Sequence, residues 1–107
     1  MDIDIDQSVL KRMVERLVAG VNPDRVVLFG SRARGDHRLD SDVDLLIIKH
    51  SDEPRHQRVR KAYQALRGIG VAKDVLWYTP SEIEEWSAVR NHITTRALRE
   101  GKILYEK

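Results

Sequence analysis

Residues Val26 to Ile48 read VVLFGSRARGDHRLDSDVDLLII, and the order of residues in this stretch decides the fold and points to a chemistry. An apolar, strand-like run ends at Phe29 and passes directly into Gly30-Ser31. After ten intervening residues, Asp42 and Asp44 stand at the head of a second apolar run. Strand side chains at i and i+2 share a face, so the two carboxylates project side by side, followed on that face by Leu46 and Ile48. Adjacent carboxylates repel each other, and divalent cations between them relieve the repulsion. The Gly30-Ser31 pair brings a hydroxyl and exposed backbone amides to the end of the preceding strand, as a phosphate chain requires. These are the parts of a metal-assisted site that moves a nucleotidyl group from a nucleoside triphosphate.

Working outward, helices and strands alternate. Asp6 is expected to cap a first helix in which Val9, Leu10, Met13, Val14, Leu17 and Val18 recur at helical spacing. Gly20 ends it, and Asn22-Pro23-Asp24 reads as a turn. Arg25 to Phe29 is the first strand, Gly30 to Ser41 a polar connection, and Asp42 to Lys49 the second strand. Pro54 opens a helix that runs to Arg67, buries Val59, Ala62, Tyr63 and Leu66, and stops at Gly68 or Gly70. Val71 to Tyr78 is the third strand. Thr79-Pro80-Ser81-Glu82 combines a cap, a proline at the first helical position and an acid three residues on. One helix is expected from there to just before Gly101, with Ile83, Trp86, Val89, Ile93 and Ala97 turned inward. Lys102 to Tyr105 forms a fourth, edge strand. The expectation is one α/β domain over residues 1–107, with helices covering a small sheet.

A third carboxylate falls where the chemistry wants one. Asp74 lies within the otherwise apolar VAKDVLWY and by alternation shares a face with Ala72, Leu76 and Tyr78. With the second and third strands as neighbours, it stands beside Asp42 and Asp44. A mid-strand aspartate disfavours the strand and is costly to bury unless it is paired or metal-bound. The plainer alternative is a surface acid or a partner for Lys73. Gly30 to Gly35 matches the opening of a P-loop, but Asp36 stands where that motif needs lysine, and only two Rossmann glycines can be placed. Arg32 and Arg34 are candidates to neutralise a triphosphate, or else solvated charges on a short helical turn.

Composition sets the outer bounds. A chain of 107 residues supports a single core, and 41% hydrophobic with 34% charged residues describes a soluble globular protein. No apolar run approaches the roughly 20 residues needed to span a bilayer. The acidic start, MDIDIDQ, is unlike a secretory leader, so a cytoplasmic protein without membrane attachment is expected. The chain has no cysteine, hence no disulfide and no thiolate metal site. A net charge of +2 does not argue for nucleic acid, and the basic stretch Arg55 to Arg67 reads as a solvated helix face, with nucleic-acid contact left open. His37, His50, His56 and His92 lack metal-ligand spacing and read as surface residues. Trp77, Tyr78 and Trp86 read as core or interface.

Gly30-Ser31, ten residues and Asp42-x-Asp44 together resemble the minimal nucleotidyltransferases of the DNA polymerase β superfamily. The segment VAKDVLWYTP, the helix after it and the terminal GKILYE extend the resemblance over residues 5–107. It implies a mixed sheet flanked by helices, with Asp42 and Asp44 bridging two Mg2+ ions and Asp74 as the third carboxylate. Gly30 and Ser31 would hold the β- and γ-phosphates of ATP or a related triphosphate. In-line attack of an acceptor hydroxyl on the α-phosphorus builds charge that paired cations stabilise, and Asp74 accepts the proton. The resemblance further implies AMP transfer to a partner, because such small proteins are often antitoxins that add AMP to a tyrosine of a HEPN-domain ribonuclease toxin. Two rivals stand beside it: an antitoxin that binds nucleotide and acts by contact alone, and an RNA-modifying transferase that uses the basic helix. A homo-oligomer is compatible with the sequence.

Overall fold

The computed structural model describes residues 7–107; the expected cap at Asp6 lies outside the described residues. Helix α1 (Gln7–Val21) leads into strand β1 (Arg25–Phe29), the one-turn helix α2 (Ser31–Arg34), and strand β2 (Val43–Ile48). Helix α3 (Arg55–Ala65) connects to strand β3 (Lys73–Tyr78), followed by helices α4 (Pro80–Trp86) and α5 (Ile93–Glu100) and strand β4 (Lys102–Glu106). The strands form a sheet of order β3-β2-β1-β4. β2 and β3 run parallel, joined by the α3 crossover that parallel neighbours require, and the other pairs are antiparallel. This is the mixed sheet flanked by helices that the resemblance implied.

The two central strands are buried on both faces, which explains their continuous apolar sequence. On one face Val26, Leu28, Val43, Leu45, Ile47 and Trp77 pack against Met13 and Leu17 of α1 and Ala62 of α3. On the other, Val27, Phe29, Leu46, Ile48 and Tyr78 pack against Ala97 of α5, with Ile83 of α4 alongside. The second face is the one that carries Asp44 and Asp74. Gly101 makes the tight passage from α5 into β4 possible: a Cβ there would lie 2.3 Å from the Ala97 carbonyl oxygen and 2.6 Å from Val27 Cγ1.

The single helix expected after Thr79 is two. α4 stops at Trp86, and His92, with an extended backbone (φ −66, ψ 146), starts α5 by accepting the Thr94 N–H on its ring. A side-chain cap inside a helical pattern offers the backbone an alternative to continuing, and the stacking of Trp86 on His92 (ring centroids 4.2 Å apart) favours the break. Trp86, Val89 and Ile93, expected inside, are therefore exposed, while Ile83 and Ala97 do face the core. His92, expected at the surface, is half-buried and meets Tyr78 edge-on. Tyr63 keeps its ring at the surface, and its hydroxyl accepts the Val75 N–H at 3.0 Å.

The basic face of α3 is not wholly solvated either. Arg58 is buried, and it donates to both carboxylate oxygens of Glu82 at 2.8 and 3.2 Å and to the Trp77 carbonyl at 3.1 Å. Arg55 lies over the Tyr78 ring. Glu82 also completes the capping box of α4 with Thr79, and Arg58 above all holds its carboxyl down at about 2. Its folded value lies below the unfolded one, so its stabilisation is complete above pH 4.5 and is lost as pH falls toward 2. Glu82→Gln is expected to cost about 1–3 kcal/mol at pH 7, read by urea unfolding, because it weakens bonds to a charged and buried partner. The gap to wild type should close on acidification through that same window. A gap independent of pH would place the stabilisation elsewhere.

Candidate active site

Strand direction builds the site. β1 runs antiparallel to β2, so its C-terminal end lies at the start of β2, with Phe29 opposite Asp44. β3 runs parallel to β2, with Asp74 opposite Asp44 on the other side. Asp44 therefore sits between the Gly30 turn and Asp74, three segments far apart in sequence. Asp42 lies one residue ahead of β2 and is exposed, as is Asp74, while Asp44 is half-buried. Helix α5 roofs the carboxylates and leaves a cleft of about 290 Å³ whose walls include Gly30, Arg34, Asp44, Asp74, Arg96 and Glu100.

At Gly30 the backbone adopts φ 74 and ψ −157, a region that only glycine enters readily. A Cβ there would stand 2.2 Å from Asp44 Oδ2. The bare glycine is thus what lets the Asp44 carboxylate lie against the turn. Gly30→Ala is expected to melt lower, by about 1–3 kcal/mol of backbone strain, and to displace Asp44. A variant that melts and binds Mg2+-ATP as wild type does would refute this account of the turn. Ser31 is the first residue of α2, beside that turn, and is half-buried.

Burial pushes the Asp44 carboxyl up, and the charges of Asp74 and Asp42 push it further, with Arg34 acting the other way. Arg34 is shared between Asp36 at 3.3 Å and Glu100 at 3.5 Å. Arg32 is buried, with its guanidinium turned into the loop ahead of β2, where it reaches the carbonyls of Leu39 and Ser41. Among the described residues, no three His, Cys, Asp or Glu side chains are gathered closely enough to hold an ion. The donor set nevertheless fits one. Carboxylate oxygens are the donors that Mg2+ takes, and a cation would relieve the repulsion that raises Asp44.

The sequence profile described as the nucleotidyltransferase domain matches residues 8–99. The chain belongs to that family. This nucleotidyltransferase superposes on a protein from Sulfolobus solfataricus assigned as a nucleotidyltransferase, with TM-score 0.67 and 21% identity over 94% of this chain and 79% of that one. A protein assigned as a minimal nucleotidyltransferase matches with TM-score 0.60 and 27% identity over 95% of both chains. A toxin–antitoxin with AMP-PNP matches with TM-score 0.63 and 17% identity over 91% of this chain and 73% of that one. Comparison with curated protein sequences gave no match.

The structure brings Gly30, Arg34, Asp44 and Asp74 to one cleft; Ser31 and Asp42 are not among its walls, and the Arg32 guanidinium is turned into the loop before β2. Sequence reasoning missed the contribution of α5. Arg96 and Glu100 carry no local signal, and the reading of one continuous helix gave no reason to turn them toward the carboxylates.

Proposed function

We propose that this nucleotidyltransferase transfers AMP from ATP to a hydroxyl of a partner protein, with divalent cations held by Asp42, Asp44 and Asp74. The observation that carries the reading is the register Phe29–Asp44–Asp74, which sets two carboxylates beside the Gly30 turn in the wall of one cleft. A structural neighbour that holds AMP-PNP in a toxin–antitoxin supports a triphosphate and a protein partner, and we extend this to an antitoxin acting on a HEPN-domain toxin. The whole chain acts as one domain.

Each residue has a chemical task. Gly30 lets the phosphates approach the backbone, and the Ser31 hydroxyl donates to a β- or γ-phosphate oxygen. Arg34, already at the cleft wall, turns from Asp36 and Glu100 toward the triphosphate. Divalent cations held by Asp42, Asp44 and Asp74 would supply charge neutralisation at the attacking and leaving oxygens of an in-line displacement. The acceptor oxygen bonds to the α-phosphorus, the bond to pyrophosphate breaks, and Asp74 takes the hydroxyl proton.

The deciding experiment incubates the protein, Mg2+ and a lysate containing its genomic neighbour's product with ATP labelled at the α- or the γ-phosphate. Label from the α-position on a protein, with the mass increase of AMP, is expected. Label on RNA instead, or transfer of the γ-label, would replace the reading.

A further inference from the structure

The polar connection between Ser31 and Asp42 has an internal anchor. Arg32, 8% exposed, extends from α2 across this loop and clasps the Ser41 carbonyl with Nε at 3.1 Å and Nη2 at 2.9 Å. The same Nη2 reaches the Leu39 carbonyl at 3.3 Å. The loop end is further closed on itself, since the Arg38 N–H donates to Ser41 Oγ at 2.8 Å and the Ser41 N–H to the Arg38 carbonyl at 3.1 Å.

The consequence falls on Asp42. The Ser41 carbonyl belongs to the peptide plane that enters Asp42. The plane that leaves it is held by the Val43 N–H, which donates to the Ala72 carbonyl at 2.9 Å. Both peptide planes around Asp42 are therefore tethered, one to Arg32 and one to the β3 side of the sheet, while its side chain is exposed. Peptide planes are rigid, so fixing both sets where the Asp42 Cα stands and which way its Cβ points. The planar fork of arginine suits this task, because it grips one oxygen with two N–H groups, which a lysine cannot reproduce.

We propose that Arg32 is a positioning residue: by holding the Ser41–Asp42 peptide it sets the Asp42 carboxylate where a divalent cation shared with Asp44 is bound. This rests on the reading of Asp42 as a cation ligand given above. It gives a physical reason for an arginine directly after Gly30-Ser31: the residue joins the phosphate-binding half of the motif to its carboxylate half. The sequence expectation had set Arg32 against the triphosphate itself, and the two roles differ in what they weaken.

Isothermal titration of the full chain with Mn2+, and separately with ATP in the presence of EDTA, distinguishes them. Arg32→Lys is expected to weaken Mn2+ binding about tenfold or more, the usual scale for losing a partner that orients a metal ligand. Metal-free ATP binding should change much less. In an Asp42→Asn background the same substitution should cost Mn2+ affinity little further, because the residue it positions is gone. Equal losses for Mn2+ and metal-free ATP would make Arg32 a phosphate contact and overturn the proposal. So would an unchanged Mn2+ affinity, or full additivity with Asp42→Asn. If Asp42→Asn alone leaves Mn2+ binding intact, the reading of the cation site fails rather than the role of Arg32 within it. Arg32→Gln replaces Arg32→Lys if the lysine variant shows no melting transition, with the same outcomes.

Discussion

Asp42→Asn with Asp44→Asn is expected to lower AMP transfer by about 1000-fold or more, since metal-held charge stabilisation contributes several kcal/mol and each 1.4 kcal/mol is a factor of ten. The same double variant should melt higher than wild type in buffer with EDTA. Burial and the charges of Asp74 and Asp42 hold the Asp44 carboxyl above its ordinary range, so its ionised form opposes folding. The sign follows from linkage: a carboxyl with a raised folded value destabilises above that value, and the penalty fades as pH falls below it. The difference in melting temperature between variant and wild type should therefore be largest near neutral pH and shrink on acidification. Mg2+ should raise the wild-type melting temperature, because a ligand bound by the folded state alone stabilises it, and should leave the variant unmoved. A double variant that transfers at near wild-type rate would mean that the reaction centre lies elsewhere.

Asp74→Asn separates catalysis from binding. Asp74 is exposed at the edge of the sheet, opposite Asp44, and under the proposed mechanism it is needed most when the acceptor hydroxyl loses its proton. The variant is expected to keep much of its Mg2+-ATP affinity and to lose about 100-fold or more in rate, the scale of a missing general base. Single-turnover kinetics beside equilibrium titration reads both quantities. If the protein serves as an antitoxin through transfer, cells that carry the variant should lose protection against the partner. Full protection by a variant that transfers nothing would show that contact alone neutralises the partner, and the proposed role of the chemistry would fall.

Much of the site is legible in the sequence because its parts are local. Gly30, Ser31, Asp42 and Asp44 stand at fixed spacing around two strand ends, and strand alternation puts Asp44, Leu46 and Ile48 on one face without reference to the rest of the chain. The Thr79–Glu82 capping box is equally local, and α4 begins there as expected. The expectations that failed depend on competition between segments. Nothing local says that His92 will cap a new helix instead of continuing one, and the choice leaves Trp86, Val89 and Ile93 exposed. Arg58 sits among exposed basic residues and is set apart from them by burial against Glu82 and the Trp77 carbonyl, 24 and 19 residues away.

By itself, then, the sequence determined the alternation of helices and strands, the glycine turn and the spacing of the carboxylates, because backbone propensity and side-chain period act over a few residues. Only the tertiary structure decided that β3 lies parallel beside β2 with Asp74 level with Asp44, that α5 closes the cleft with Arg96 and Glu100, and that Arg32 turns inward to hold the loop before Asp42. Those outcomes depend on which strand edges pair and which carbonyls a buried guanidinium can reach. They are set by the burial of the two apolar faces of the sheet as a whole, and no short window of residues contains that information.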